Sequence, residues 1–343
     1  MQGWRMNMED AHFAIGSLQG PGWQDTAAFG VLDGHGGKEV ALFCQEQLPL
    51  QIARGSSLDL HGSLVTAFQT MDDMLLDEQD VLSNTLAEGS PSRGVLDVNP
   101  DWVGCTAVVC LVRPDALVVA NAGDSRCVLS RNGQAVPLSE DHKPNLPGER
   151  ERITKAGGDV LRQQVGSIVQ YRVCGNLNLS RSIGDLEYKK NRMLQPCEQM
   201  ISATPDVLTV RRVAGDEFIL LACDGIWDVV GSQEAVDFIN ERLPRFLKAG
   251  KPLSGIMEEL LDHCLSPDLH STQGLGGDNM TALLVVFVGG GMHSELVVVY
   301  PSPISSPRSI VGSMSSKGAT AADIDESSIG AVGLLCGCSA STR

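Results

Sequence analysis

Three aspartates in this sequence stand beside a glycine at the edge of a short apolar run. Each run is rich in Val, Leu, Ala and Phe and is bounded by turn residues, which is typical of a strand buried on both faces. A rigid strand end holds a carboxylate oxygen in place, and the glycine lets the backbone turn sharply or approach a cation. The aspartates are Asp33, Asp224 and Asp278, and the runs are residues 27–32, 218–223 and 281–288.

Three carboxylates brought together without a neighbouring lysine would repel one another unless cations lay between them. Hard oxygen donors select Mg²⁺ or Mn²⁺ rather than zinc. Two such ions about 3.5–4 Å apart would clamp a phosphoryl group and lower the pKa of a bridging water. For any one of the aspartates alone, a plain Asp-Gly turn is the better interpretation.

Further ionisable residues accompany these aspartates. Arg5, Glu9 and Asp10 lie within one N-terminal stretch, and His35 stands two residues after Asp33. Taken singly, an arginine is most often a solvated surface charge, and a histidine beside glycine is most often a loop residue. Their company with three strand-end carboxylates favours phosphoryl chemistry at a metal site over three independent turns.

The elements that must position these residues are a mixture of antiparallel strands and helices. An Asn132-Gly133 turn between apolar runs is the strongest short-range hairpin signal. It lies within a predicted β-meander whose strands are residues 105–112, 116–122, 126–130 and 134–138.

Helical periodicity marks four other segments. Residues 40–48 predict a helix that Pro49 ends, since proline lacks the backbone donor. The apolar spacing over residues 60–75 and over about residues 233–248 predicts two more, and Ser254 is the expected N-cap of a fourth. Such a mixture predicts an α+β fold in which helices cover sheet faces.

Composition excludes several function classes. The chain has 343 residues, and 26 Lys+Arg against 42 Asp+Glu give a net charge of −16. A nucleic-acid binder needs a basic face to neutralise phosphates, so we expect no nucleic-acid partner. The apolar stretches fall far short of the about 20 residues that span a bilayer, so we expect no integral membrane association. Ten cysteines without a C-x-x-C pair indicate reduced thiols and a cytoplasmic or nuclear location.

Beyond these local patterns, a series of ordered blocks resembles the motifs of the protein phosphatase 2C family, the metal-dependent PPM phosphatases. Together the blocks cover about residues 1–288. They are Arg5-x-x-x-Glu9-Asp10-Ala11-His12, FGVLDGHGG at 29–37, GCTA at 104–107, ANAGDSR at 120–126, DHKP at 141–144, ERI at 151–153 with AGG at 156–158, LSRSIGD at 179–185, ACDGIWD at 222–228 and GDNMT at 277–281.

The resemblance implies a four-layer α-β-β-α sandwich of two mainly antiparallel sheets flanked by helices, with a small flap subdomain. After residue 288 the composition becomes rich in Ser, Gly and Ala, which predicts a flexible tail over residues 289–343. The resemblance implies a catalytic domain over residues 1–288, with the flap at about 140–192. It also implies Mn²⁺- or Mg²⁺-dependent hydrolysis of phosphoserine and phosphothreonine in protein substrates, by a water that bridges two metal ions.

The resemblance also implies, position by position, which residues hold the two ions. Asp33 would bridge both ions, with the Gly34 carbonyl on the first. Asp224 and Asp278 would hold the second ion, and Glu9 would act on the first through water.

The remaining implied roles concern the substrate and a weaker third metal position. Arg5 matches the phosphate-binding arginine, whose fork suits a dianion, and His35 matches the histidine that protonates the leaving alkoxide. Asp124 and Asp228 match acids of the third metal position. Two neighbouring residues are expected to support these ligands: Asp10 and Asn279.

Two other functions stay open at this point. A phosphatase-like pseudoenzyme could act as a phosphoprotein-binding scaffold, although such proteins usually lose metal acids and here all of them are present. A different two-metal hydrolase, such as a nuclease or phosphodiesterase, is disfavoured because an acidic surface repels nucleic acid. We expect the protein to be a monomer.

Overall fold

The computed structural model describes residues 1–87, 99–165 and 168–288, together with three short strands further on. The helices are α1 (Glu39–Arg54), α2 (Leu60–Ala87), α3 (Pro147–Lys155), α4 (Asp224–Trp227), α5 (Ser232–Ala249) and α6 (Ser254–Cys264), with 3-10 turns at Leu186–Lys189 and Pro196–Glu198. The strands are β1 (Ala11–Ile15), β2 (Ala27–Leu32), β3 (Gly34–His35), β4 (Gly104–Cys105), β5 (Ala107–Val112), β6 (Ala116–Ala122), β7 (Arg126–Arg131), β8 (Gln134–Pro137), β9 (Val160–Val165), β10 (Ile168–Val173), β11 (Ile183–Gly184), β12 (Asp206–Arg211), β13 (Asp216–Ala222), β14 (Ala282–Val288), β15 (Glu295–Val299), β16 (Ser313–Met314) and β17 (Leu335–Cys336).

Two five-stranded antiparallel sheets form the centre of the fold. The first has the order β1-β2-β5-β6-β12, and the second has the order β15-β14-β13-β7-β8. Along β2 the side chains alternate between two cores, because successive residues of a strand point to opposite faces. Phe29 and Val31 pack between the two sheets, whereas Ala28 and Leu32 pack under α1 and α2.

The second sheet is covered in the same way on its outer face. Leu283, Val285 and Phe287 of β14 join the core between the sheets, and the alternate residues of that strand pack against α5 and α6. The layers are therefore helix, sheet, sheet and helix, and the α+β sandwich prediction is confirmed. No helix in the described ranges is long and apolar enough to cross a bilayer.

The helix prediction at Pro49 is wrong, because α1 continues through this residue to Arg54. Proline removes one helical hydrogen bond and crowds the preceding turn. Continuing the helix, however, buries Ile52 completely in the core beneath the first sheet. Burial of one such side chain contributes about 1.5–3 kcal/mol, which offsets a large part of the proline penalty.

Two further boundaries differ from the predictions. Leu253, not Ser254, is the N-cap of α6, because the N–H groups of Gly255 and Ile256 already bond to the carbonyls of Pro252 and Leu253. The predicted strand 105–112 is interrupted at Thr106, whose N–H donates to the Asp33 carbonyl at 2.9 Å. The strand is therefore interrupted at a residue that bonds Asp33, which belongs to the site described below.

The predicted flap segment contains α3, the β9–β10 hairpin and β11. Ile153 and Val173 of this segment form a small buried cluster with Ile201, which follows it in the chain. Strand β11 pairs with β4, which pairs with β3, so the end of this segment joins a three-stranded sheet beside Asp33. The predicted tail at 289–343 lies mostly outside the described residues, although β15 within it pairs with β14.

Candidate active site

The acidic residues converge because the strand ends that carry them lie at one end of both sheets. Ala11 of β1 pairs with Leu32 of β2, which brings the residues before β1 beside Asp33. Ala222 of β13 pairs with Ala282 of β14, which brings the segments around Asp224 and Asp278 together. The link between β6 and β7, which carries Asp124, crosses from one sheet to the other at the same end.

A cavity of about 720 Å³ opens at this end of the sandwich. It brings together ten of the eleven residues that the sequence singled out: Arg5, Glu9, Asp33, Gly34, His35, Asp124, Asp224, Asp228, Asp278 and Asn279. The eleventh, Asp10, lies behind the wall, where its carboxylate, that of Asp33 and the Cys223 thiol have ligand atoms within 4.8 Å of one another.

The carboxylates of this cavity are poorly solvated and close to one another. Burial raises the pKa of Asp33 well above its usual range, and the charges of Asp10 and Asp224 add to the effect. Burial likewise raises the pKa of Asp224, with further contributions from Asp124 and Asp228. Both effects oppose the charged forms of these carboxylates, so a bound cation would stabilise the cluster.

This donor set fits hard divalent cations. It offers carboxylate oxygens and the Gly34 carbonyl, the ligand types that Mg²⁺ and Mn²⁺ prefer. Both carboxylate oxygens of Asp10 are buried without a hydrogen bond of good geometry. Burial raises the pKa of Asp10 to about 6, although the nearby Thr281 hydroxyl and Cys223 thiol hold it down in part.

Asp124 has a partner that the sequence reasoning did not assign. Lys143 Nζ lies 2.5 Å from Asp124 Oδ2, and the Asp124 side chain is almost fully buried. Burial disfavours the Lys143 charge, but Asp124 and then Asp224 outweigh it and raise the lysine pKa. The carboxylate offered for a third metal is thus already partly neutralised by an ion pair.

The Asn279 side chain makes three of the hydrogen bonds that hold the N-terminal loop against the cavity. Asn279 Nδ2 donates to the carbonyls of Gln2 and Asn7 at 2.8 and 3.0 Å, and its Oδ1 accepts the Glu9 N–H at 2.8 Å. Met280 N also donates to the Met1 carbonyl at 2.8 Å. The predicted supporting role of Asn279 therefore has a geometric basis, since this residue places Glu9.

Arg5 lies at the mouth of the cavity. Its Nη2 donates to Asp278 Oδ2 at 2.6 Å, and both side chains are substantially exposed. Burial disfavours the guanidinium charge, but Asp278 outweighs it and raises the pKa of Arg5. The group stays charged and is held beside the acidic floor, where an incoming anion would meet it.

Comparison with known proteins shows the family of the chain. The model of the family described as "Protein phosphatase 2C" matches residues 1–272. The chain belongs to the protein phosphatase 2C family. The chain is 44% identical over 322 residues to "Probable protein phosphatase 2C 58" of Oryza sativa subsp. japonica, which covers 84% of this chain and 82% of the relative. It is also 44% identical over 319 residues to "Probable protein phosphatase 2C 21" of Arabidopsis thaliana, covering 84% and 85%.

A solved structure supports the fold. The crystal structure of a phosphatase from a pathogenic strain of Toxoplasma gondii superposes with a TM-score of 0.65 at 22% identity, covering 88% of this chain and 94% of that one. As a protein phosphatase 2C, the chain is a metal-dependent serine/threonine phosphatase that acts on phosphoproteins.

In this protein phosphatase 2C chain, two important neighbours of the cavity were missed as individual residues. Asp185 Oδ2 lies 2.7 Å from His35 Nε2, and Lys143 forms an ion pair with Asp124. Both residues lie inside motifs that the sequence analysis recognised, LSRSIGD and DHKP, but neither residue was assigned a role there. Burial opposes the His35 charge, but Asp185 outweighs it and raises the pKa of His35.

Proposed function

We propose that this cavity hydrolyses phosphoserine and phosphothreonine in proteins with two divalent cations. Asp33, Gly34 and Glu9 would hold the first ion, and Asp33, Asp224 and Asp278 the second. The observation that carries this proposal is the convergence of six carboxylates on one cavity, where burial and mutual repulsion leave a demand for positive charge. When bound, the cations would supply Lewis-acid stabilisation of the phosphoryl oxygens and activate the attacking water.

The chain's own residues would bind the substrate and move its proton. Arg5 is fixed at the mouth by Asp278, and its planar fork suits a phosphate dianion. His35 lines the same cavity and would protonate the leaving serine or threonine oxygen. Asp124 and Asp228 line the same cavity, where a weaker third ion would compete with Lys143 for Asp124.

The decisive experiment measures release of phosphate from a phosphothreonine peptide with Mn²⁺ or Mg²⁺, with and without EDTA. Asp33→Asn and Asp224→Asn should each lower kcat by at least about 10²-fold, and calorimetry should show weakened Mn²⁺ binding. Asp262→Asn, an exposed aspartate on α6, is the matched control and should behave like the wild type. Full activity in Asp33→Asn would exclude the proposal.

The pseudoenzyme alternative gains no support from the site, because each acid that such proteins lose lies in the cavity. The same assay separates the two functions. A scaffold would bind a phosphopeptide without turnover at any Mn²⁺ concentration.

We also propose that the protein is a monomer of the cytoplasm or nucleus. Eight cysteines of the described residues carry free thiols, as expected in a reducing compartment. Light scattering after gel filtration tests the monomer, and fluorescence microscopy of a tagged chain tests the location.

A further inference from the structure

His35 and Asp185 meet above a small three-stranded sheet. His35 ends β3 and Asp185 follows β11, and both strands flank β4. His35 Nε2 lies 2.7 Å from Asp185 Oδ2, although 150 residues separate them in the chain. The histidine side chain is 23% exposed in the cavity, whereas the aspartate side chain is 2% exposed behind it.

The backbone between the two side chains is shaped for this contact. Gly104 of β4 lies beneath it, and a Cβ there would stand 2.8 Å from His35 Nε2 and closer still to the Asp185 carboxylate. Any side chain at this position would therefore push the two groups apart. The contact depends on a glycine contributed by a third segment of the chain.

The Asp185 carboxylate is itself held in place from several sides. Its backbone adopts a left-handed conformation with φ of 52°, which is strained for a residue with a Cβ. Its N–H donates to the Val103 carbonyl at 3.0 Å, and the Ser182 hydroxyl donates to Oδ2 at 2.5 Å. One turn of chain is thus fixed so that one carboxylate oxygen faces one ring nitrogen.

The segment is anchored to the body of the fold by a second aspartate. Asp72 of α2 accepts the Gly184 N–H at 2.9 Å and the Lys189 ammonium at 2.6 Å. Asp72 supports the turn that carries Asp185 but does not contact His35. This arrangement provides a structural control for the experiment below.

We propose that Asp185 is a positioning residue that accepts the Nε2–H of His35 and so reserves Nδ1 for the leaving oxygen of the substrate. A carboxylate on one imidazole nitrogen fixes both the ring orientation and the tautomer, which decides which nitrogen delivers a proton. The proposal rests on the proposed function, in which His35 protonates that oxygen.

The reaction step is balanced in atoms and protons. The oxygen of the attacking water forms the new P–O bond as the bond from phosphorus to the serine or threonine oxygen breaks. His35 Nδ1 gives one proton to the leaving oxygen, and the proton released by the water restores His35. The Nε2 proton stays on His35 throughout, hydrogen-bonded to Asp185, and Asp185 itself is not protonated.

The test compares two substrates whose leaving groups differ. An alkoxide leaving from a phosphothreonine peptide needs a proton, whereas the nitrophenolate of p-nitrophenyl phosphate leaves without one. Asp185→Asn should lower kcat on the peptide by on the order of 10²-fold, the contribution of a general acid. The KM should not change, and the rate on p-nitrophenyl phosphate should stay within about threefold of the wild type.

Further variants separate positioning from folding. Asp72→Asn should lower the melting temperature, which reports lost support of the turn while the Asp185 carboxylate itself is kept. Ser182→Ala keeps the carboxylate but removes one of its donors, so it should give a smaller loss on the peptide alone. A double variant, Asp185→Asn with His35→Ala, should be no slower on the peptide than His35→Ala, because the two residues act as one unit.

The positioning role would be overturned if Asp185→Asn and Ser182→Ala each lost equal activity on the two substrates, or if neither variant lost activity. If Asp185→Asn does not fold, Ser182→Ala decides by the same comparison. A wild-type protein that hydrolyses neither substrate with Mn²⁺ would instead refute the proposed function, so the two failures are distinguishable.

Discussion

Glu149 of α3 holds the helix of the predicted flap segment against the turn that leads to Asp185. Its side chain is 8% exposed and accepts hydrogen bonds from Arg152 Nη1 at 2.7 Å and Arg181 Nη2 at 2.8 Å. The Ser180 hydroxyl adds a third bond at 2.5 Å. Arg181 also reaches Asp206 at 2.7 Å, so the network continues to the edge of the first sheet.

The strength of this network follows from the pKa of Glu149. Burial alone would raise it, but the hydrogen bond from Arg181 and the charges of Arg152 and Arg181 outweigh burial and lower the pKa from 4.5 to about 2. That difference corresponds to about 3 kcal/mol of folding free energy at neutral pH. Removing one partner of a buried ion pair costs about the same, 3–5 kcal/mol.

We therefore expect Glu149→Gln to lower the free energy of unfolding by about 3 kcal/mol in urea denaturation at pH 7. Because the folded pKa of Glu149 lies below the unfolded value, its contribution is complete above about pH 5 and is lost as the pH falls toward 2. The difference between wild type and variant should accordingly shrink from pH 5 to pH 4.

Glu151→Gln is the matched control, since Glu151 lies two residues further along the same helix. Its ion pair with Lys155 is 65% and 74% exposed, and such pairs contribute little in water. The control should unfold like the wild type. The reasoning is refuted if Glu149→Gln is as stable as Glu151→Gln, or if its deficit stays constant between pH 7 and pH 4.

Two further substitutions test the core and the cavity wall. Phe68→Ala removes a fully buried ring beneath the first sheet and should lower the free energy of unfolding by about 3–5 kcal/mol in the same denaturation assay. Leu76→Ala, at a position 45% exposed on the same helix, should change that free energy little. Equal effects of the two substitutions would contradict the packing. Gly225→Ala would drive a Cβ into the Asn279 carbonyl and displace the loop that carries Asp278, so phosphatase activity should fall at least tenfold while far-UV circular dichroism stays unchanged. Gly231→Ala meets no atom within 4 Å and should retain activity, and an active Gly225→Ala enzyme would show that the wall tolerates this displacement.

Local patterns predicted most of the sandwich. Strands β2 and β6 were predicted with their observed bounds, because a strand buried on both faces is a continuous apolar run between turn residues. The prediction failed where a distant contact outweighed a local preference. Pro49 does not end α1 because burial of Ile52 against the sheet continues the helix, and Thr106 leaves its strand to bond Asp33.

In the candidate site, too, the residues that a local pattern marks were predicted, and the contacts between distant segments were not. Asp33, Asp224 and Asp278 could be singled out because each follows or precedes a strand beside a glycine, a pattern confined to a few consecutive residues. Their convergence was an expectation from the family resemblance. The carboxylates that we propose as cation ligands could thus be chosen from the sequence itself, and the tertiary structure brings them to one cavity.

The partners of the site residues were decided by tertiary structure alone. Asn279 holds Glu9 across 270 residues, and Asp185 faces His35 across 150. Such contacts require a left-handed turn, a glycine on a third strand and two aligned sheet ends, none of which a local pattern specifies. The sequence by itself determined which atoms could do the chemistry, and only the packing of distant segments decided which hydrogen bonds orient them.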